Sequence, residues 1–189
     1  MRIEKIVAID VETTGFSKGE DVTANHQILS IGLVVADRNF NPIDELYCEI
    51  KWNGTSHWST IAEGIHGMSK EYLEENGVDE EDAVLQIAEF LLKYFDPDEC
   101  IFFLGHNPRN FDIPFFNKLT NKYDVYFKIA HRTIDSFSVG FACLGADDSD
   151  SLFSYFYPTR KKHNALEDAK MSLGVCRKMR KLMRSLLNE

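Results

Sequence analysis

Residues 5–16 read KIVAIDVETTGF. Ile6, Val7, Ala8 and Ile9 are continuously apolar, which marks Lys5 to Asp10 as a strand covered on both faces, in the middle of a sheet. Asp10 and Glu12 close it with one residue between them. In extended backbone their side chains point to the same face, about 6–7 Å apart. Two carboxylates so placed repel each other unless a proton or a cation lies between them. The plain alternative is a polar strand end exposed to water. Thr14, Gly15 and a polar stretch to Asn25 lead to a second strand, Gln27 to Ala36. RNFNP (Arg38 to Pro42) is a turn signal, and Glu45 to Lys51 alternates as a third strand. Short connections between the three imply an antiparallel meander.

Further along, the pattern changes. Trp52 to Gly67 has no clear period and reads as a long irregular surface segment, a kind of loop often used for function. Its Trp52, His57 and Trp58 suit a cover over the sheet edge better than stacking on nucleobases. Ser69 is placed to cap a short helix through Glu75. Asp79 to Phe95 carries Ala83, Val84, Ile87, Ala88, Leu91 and Leu92 at amphipathic-helix spacing, and Asp96-Pro97 stops it. Ile101 to Leu104 is strand-like, Asn110 to Tyr123 helical with Pro114 in its first turn, and Arg132 to Ile134 a short last strand. Helical pieces follow through Cys143 and around Ser151 to Tyr157, and Ala165 to Leu187 is the longest helix. Three strands, helix, strand, helix, strand, helix is the order of a mixed sheet with helices on its faces.

The 189 residues are 44% hydrophobic and 12% aromatic, which excludes disorder and suits one domain over 1–189. No apolar run reaches the roughly 18 residues of a membrane span. The N-terminus lacks a small-residue cleavage site, so a cytoplasmic protein with no membrane partner is expected. Cys48, Cys100, Cys143 and Cys176 form no CxxC pair, so neither zinc nor a disulfide framework is implied; reduced thiols in apolar surroundings are expected. The net charge of −9 is uneven, with −15 on the first 159 residues and +6 from Arg160 onward. A basic end on an acidic body is either a phosphate-contacting face or a solvated helix. Arg160, Lys161 and Lys162 are the candidates for holding phosphates.

Two more acids stand at element junctions. Asp112 lies in GHNPRNFD, where a helix opens, and Asp168 in HNALED, at the start of the last helix, with His163 five positions before it. Each alone is an ordinary first-turn acid favoured by the helix dipole. Together with Asp10 and Glu12 they form a set of hard oxygen ligands suited to Mg²⁺ or Mn²⁺. Two such ions can hold both the attacking and the leaving oxygen of a phosphoryl displacement, and His163 has the pKa to take a proton at neutral pH. Asp135, in TIDSF, reads as a helix cap rather than a fifth ligand. Phe111, Phe115 and Phe116 read as core.

The ordered set DVETTGF, GHNPRNFD and HNALED resembles the three motifs of the DEDDh exonucleases of the DnaQ-like superfamily, whose fold is RNase H-like. IHGMS (Ile65 to Ser69) and TIDSF (Thr133 to Phe137) extend the resemblance over Ile6 to Cys176. It implies a five-stranded mixed sheet and a 3′–5′ exonuclease that releases nucleoside 5′-monophosphates from single-stranded DNA or RNA. It implies two Mg²⁺ or Mn²⁺ ions held by Asp10, Glu12, Asp112 and Asp168, with Asp10 bridging and Asp112 acting through water. His163 would be the general base. Thr13, Thr14, Gly15 and Phe16 would receive the 3′-terminal nucleotide, with His66, Gly67 and Met68 on the other side of the pocket, and Asn107 would orient the substrate backbone. The resemblance leaves two related readings, a proofreading subunit with a polymerase or other replication or repair partner and a ribonuclease for very short RNA. It does not fix the oligomeric state.

Overall fold

A computed structural model describes residues 3–157 and 163–187, so Arg160, Lys161 and Lys162 lie outside the described residues. The apolar run of residue 6 onward becomes β1 (Lys5–Thr13), longer than expected and reaching past Glu12. It pairs antiparallel with β2 (Ile28–Asp37), which pairs antiparallel with β3 (Pro42–Glu49), giving the meander. On its other side β1 runs parallel to β4 (Phe103–Gly105), and β4 runs parallel to β5 (Ile134–Asp135). The sheet order is β3-β2-β1-β4-β5, the mixed five-stranded sheet implied by the order of elements.

Seven helices are described. After β3 come α1 (Thr60–His66), α2 (Lys70–Asn76) and α3 (Glu80–Leu92); α4 (Asp112–Lys122) lies between β4 and β5; α5 (Ser136–Leu144), α6 (Ser149–Phe156) and α7 (Ala165–Leu187) follow. The segment from Trp52 to Gly67 is therefore not irregular throughout. Ser59 caps α1 by accepting a hydrogen bond from the Ala62 N–H, and Ser69 caps α2 as its sequence implies. Asp135 caps α5, accepting from the N–H groups of Phe137 and Ser138. Trp52 and Trp58 pack on each other, their rings meeting edge to face at 5.9 Å with the Lys70 ammonium 3.7 Å over Trp52, and Trp58 lies against the cluster of Leu29, Met68 and Leu73. Cys48 and Cys176 are buried and unpaired, whereas Cys143 is exposed, against the expectation of apolar surroundings for all four thiols. Among the described residues no helix is long and apolar enough to cross a membrane.

β1 is apolar on both faces because both are covered. Val7, Ile9 and Val11 join Leu33, Phe103, Phe115 and Phe116 in a core closed by α3 and α4. Ile6 and Ala8 face the opposite layer, where Ala169, Leu173 and Cys176 of α7 pack. The period of two carries that second row on to Asp10 and Glu12, so both carboxylates emerge on the α7 side. Register places Asp10 opposite Gly32 of β2. A Cβ at Gly32 would stand 2.3 Å from the Leu166 nitrogen and 2.4 Å from the Ala165 carbonyl. Only hydrogen at this position lets the first turn of α7 rest on the sheet beside Asp10.

Gly32→Ala is accordingly expected to force α7 outward and to destabilise the protein by about 1–3 kcal/mol. Urea unfolding followed by circular dichroism measures it; a wild-type midpoint would mean that α7 does not need this close approach.

Candidate active site

The first turn of α7 carries Asp168 to the end of β1. Asn164 starts the helix, its side chain accepting from the Glu167 N–H at 3.1 Å and its carbonyl from the Asp168 N–H at 2.9 Å. Asp168, only 5% exposed, thus sits at the positive end of a helix dipole. Ligand atoms of Glu12, His163 and Asp168 all lie within 4.8 Å of one another. His163 Nδ1 faces Asp168 Oδ2 at 3.5 Å, its ring partly open to solvent. Asp10 stands two residues before Glu12 on the same strand face.

Asp112 reaches the same strand from the other layer. It opens α4, is 3% exposed, and its Oδ1 accepts from the Val11 N–H at 3.0 Å, tying α4 to the backbone between Asp10 and Glu12. Burial, helped by the Glu12 charge and opposed by hydrogen bonds from backbone N–H groups, pushes its carboxyl up to about 8. Such crowding of carboxyl groups is relieved by a proton or a cation. Hard oxygen donors with no thiolate among them fit Mg²⁺ or Mn²⁺, so the residues present suit that class of ion.

A cleft of about 470 Å³ begins at Glu12 and Thr13. Phe16, Ile61, Ile65 and Phe111 give it apolar walls, and Lys18, His26, His57 and Ser59 give it a polar far end. Phe16, Ile61 and Ile65 are 56%, 78% and 47% exposed, a cluster of uncovered apolar side chains that a flat apolar ligand would cover. Phe111 meets Phe16 edge to face at 6.1 Å, so it serves the cleft as well as the core, whereas Phe115 and Phe116 are core as expected.

His66 also lines the cleft. Its Nδ1 accepts from the Met68 N–H at 3.0 Å, leaving the proton on Nε2 beside the Thr13 backbone, where no hydrogen bond of good geometry forms. His66 stands in the last turn of α1, where a dipole would favour a cation, yet burial holds its imidazole below the ordinary value. Gly67 and Met68 line an adjoining cavity of about 230 Å³ with Tyr47, Glu49, Tyr72 and His163, not the large cleft itself. Thr14 is 1% exposed and lies behind the cleft wall. Asn107 sits past β4 with its N–H donated to Asp135 Oδ1 at 2.8 Å, and its side chain accepts from Asn110 at 2.9 Å. Asp135 therefore caps α5 and anchors the second motif at once.

Ile61 and Ile65 are absent from the sequence-derived site because residues 52–67 show no long period. Ser59 at the start, Gly67 at the end and an i, i+4 pair of isoleucines are the signals that reveal α1 and its face.

Residues 7–176 match the exonuclease family RNase_T. The chain is 32% identical over 189 residues to the 3′-5′ DNA exonuclease Cap18 of Escherichia coli, with 96% of each chain aligned. Exonuclease I from Methylocaldum szegediense superposes with a TM-score of 0.71 at 17% identity, over 97% of this chain and 42% of that one. E. coli Exonuclease I in complex with a dT13 oligonucleotide gives 0.72 at 14% identity, over 98% of this chain and 43% of that one. Those two likenesses are of fold, and this chain spans about two-fifths of the Exonuclease I chains.

The raised Asp112 group has a definite pH consequence. Its folded pKa of about 8 exceeds the unfolded value near 4, so the folded form binds the extra proton between them. The stability linked to it is complete below about pH 4 and is lost as pH rises through about 8. In chelator, the protein is expected to unfold at lower urea at about pH 8.5 than at about pH 5.5, with the difference shrinking in Asp112→Asn. Equal differences in both proteins would remove Asp112 as the source.

Proposed function

The chain belongs to the RNase_T exonuclease family, and from that premise we propose that it removes nucleotides one at a time from the 3′ end of single-stranded DNA, releasing nucleoside 5′-monophosphates. The observation that carries this reading is a juxtaposition. Two carboxylates and an imidazole lie within 4.8 Å of one another, and one of them, Glu12, also lines a cleft of about 470 Å³, the size of a small-ligand pocket, with apolar walls. The DNA substrate is favoured by the relative at 32% identity that is a DNA exonuclease.

Asp10, Glu12, Asp112 and Asp168 would together hold two Mg²⁺ or Mn²⁺ ions. When bound, such ions supply Lewis-acid stabilisation of the phosphoryl and leaving oxygens. The remaining work falls to the chain. Asp168 faces His163 Nδ1 and so keeps the proton of the ring there, leaving Nε2 free to take a proton from the attacking water. Thr13, Gly15 and Phe16, which line the cleft, border the terminal sugar and its 3′-hydroxyl, while the Thr14 N–H is donated behind them to the Gln27 carbonyl at 3.0 Å. Phe16, Ile61, Ile65 and Phe111 enclose the base by stacking and apolar contact, which every base can offer and which is tolerant of sequence. His66 borders the sugar from the α1 side.

Two experiments test the reading. A strand labelled at its 5′ end, incubated with Mg²⁺ or Mn²⁺, is expected to shorten by single nucleotides from its 3′ end, and Asp10→Ala to leave it intact. Shortening from the 5′ end, or unchanged digestion by the variant, would reject the mechanism. His163→Ala is expected to retain Mn²⁺ binding by calorimetry while turnover falls on the order of 10²–10⁴-fold. Wild-type rates in that variant would mean that another group activates the water.

A further inference from the structure

His26 belongs to none of the motifs and touches none of the acids, yet three segments of chain meet at its ring. It is 6% exposed. The Thr14 hydroxyl accepts from the Gln27 N–H at 3.1 Å and pairs with His26 Nδ1, 3.2 Å away. Burial, with the charges of His57 and Lys118 acting in the same direction, holds the imidazole below its ordinary value, against hydrogen bonds to the Thr14 and His57 backbone.

The ring also bounds Gly15. That residue has φ +134°, and a Cβ there would stand 2.7 Å from His26 Cε1 and 3.0 Å from Ser59 Cβ. Behind it, Lys118 of α4 donates to the carbonyls of Thr23 at 2.7 Å and His26 at 2.6 Å, fixing the turn that carries the ring. The third segment closes from the other side. His57 donates its N–H to Asn25 at 2.7 Å, Ser59 donates to the Thr14 carbonyl at 2.8 Å, and the His57 ring meets His26 edge to face at 5.4 Å.

We propose that His26 is a positioning residue, holding Thr14 and, through it, Gly15, so that the Gly15 backbone meets the 3′-terminal sugar at a fixed distance from Glu12. The inference rests on the 3′-end reading above and adds to it a residue that acts through another. Gly15 can offer the terminal sugar only backbone groups, which have no rotamer with which to adjust. Their placement must come from what packs behind them, and small misplacements of a bound reactant are costly in rate.

Three variants separate the hydrogen bond from the packing. His26→Phe keeps a ring against Gly15 and removes the hydrogen bond; His26→Asn restores a polar partner near the place of Nδ1; Thr14→Val removes the hydroxyl at the other end. With single-stranded DNA as substrate, His26→Phe and Thr14→Val are each expected to lower kcat/KM about three- to tenfold and to weaken product inhibition by thymidine 5′-monophosphate by a similar factor. His26→Asn is expected to recover most of both, and the His26→Phe/Thr14→Val pair to lose no more than either alone. Mn²⁺ binding is expected to stay at the wild-type value in all of them. Wild-type kcat/KM in His26→Phe, or losses that multiply in the pair, would overturn the proposal. If His26→Phe does not fold, the contrast between His26→Asn and Thr14→Val decides, equal losses counting against it. A wild-type protein that degrades no strand fails the reading beneath; an active one indifferent to these changes fails this inference alone.

Discussion

The first turn of α7 can lie on β2 only because Gly32 has no side chain, and the site depends on that contact. A Cβ there would sit 2.3 Å from the Leu166 nitrogen, well inside any tolerable separation. With the contact made, Asp168 arrives two residues later beside Glu12, and His163 beside both. The partner of Gly32 across the ladder is Asp10 itself, so the same register that fixes the strand pairing also fixes which carboxylates the helix meets. One close backbone approach thus joins the meander at the front of the chain to the helix at its end.

Bringing acids together is unfavourable unless something offsets their repulsion. The cost is visible in Asp112, whose carboxyl is buried, pushed up to about 8 and further disfavoured as a charge by Glu12. The fold pins it there through the Val11 N–H rather than letting it turn to water. Groups held in this way are poised to take up a divalent cation, and affinity for it rises with pH as the proton leaves. The neighbouring cleft has the opposite character, with exposed Phe16, Ile61 and Ile65 around a polar end. Crowded carboxyl groups and open apolar side chains thus both adjoin Glu12.

Much of this was legible in the sequence. The apolar run before Asp10 implied a central strand, and the order of elements implied the mixed sheet. The ordered motifs carried Glu12, His163 and Asp168, which the fold does bring together. Other features escaped for physical reasons. Helix α1 is seven residues long with a glycine inside it, too short to show a period, so Ile61 and Ile65 went unread. Met68 and Gly67 follow His66 in the chain but line the adjoining cavity, which His66 and His163 share, with Met68 packed against Leu29 and Leu73. Phe111 has the spacing of a core residue, and only packing shows that one face of its ring meets Phe16.

What the sequence by itself determined is which side chains are candidates for the site and which runs form strands and helices. Both depend on local pattern: residue type, spacing and the period of two or three to four. Tertiary structure alone decided the distances, the protonation and the second layer. Whether Asp112 is buried, whether Gly32 admits α7, and whether His26 backs Thr14 depend on contacts between segments far apart in the chain. Desolvation and steric exclusion act through space, and no spacing along the chain encodes them.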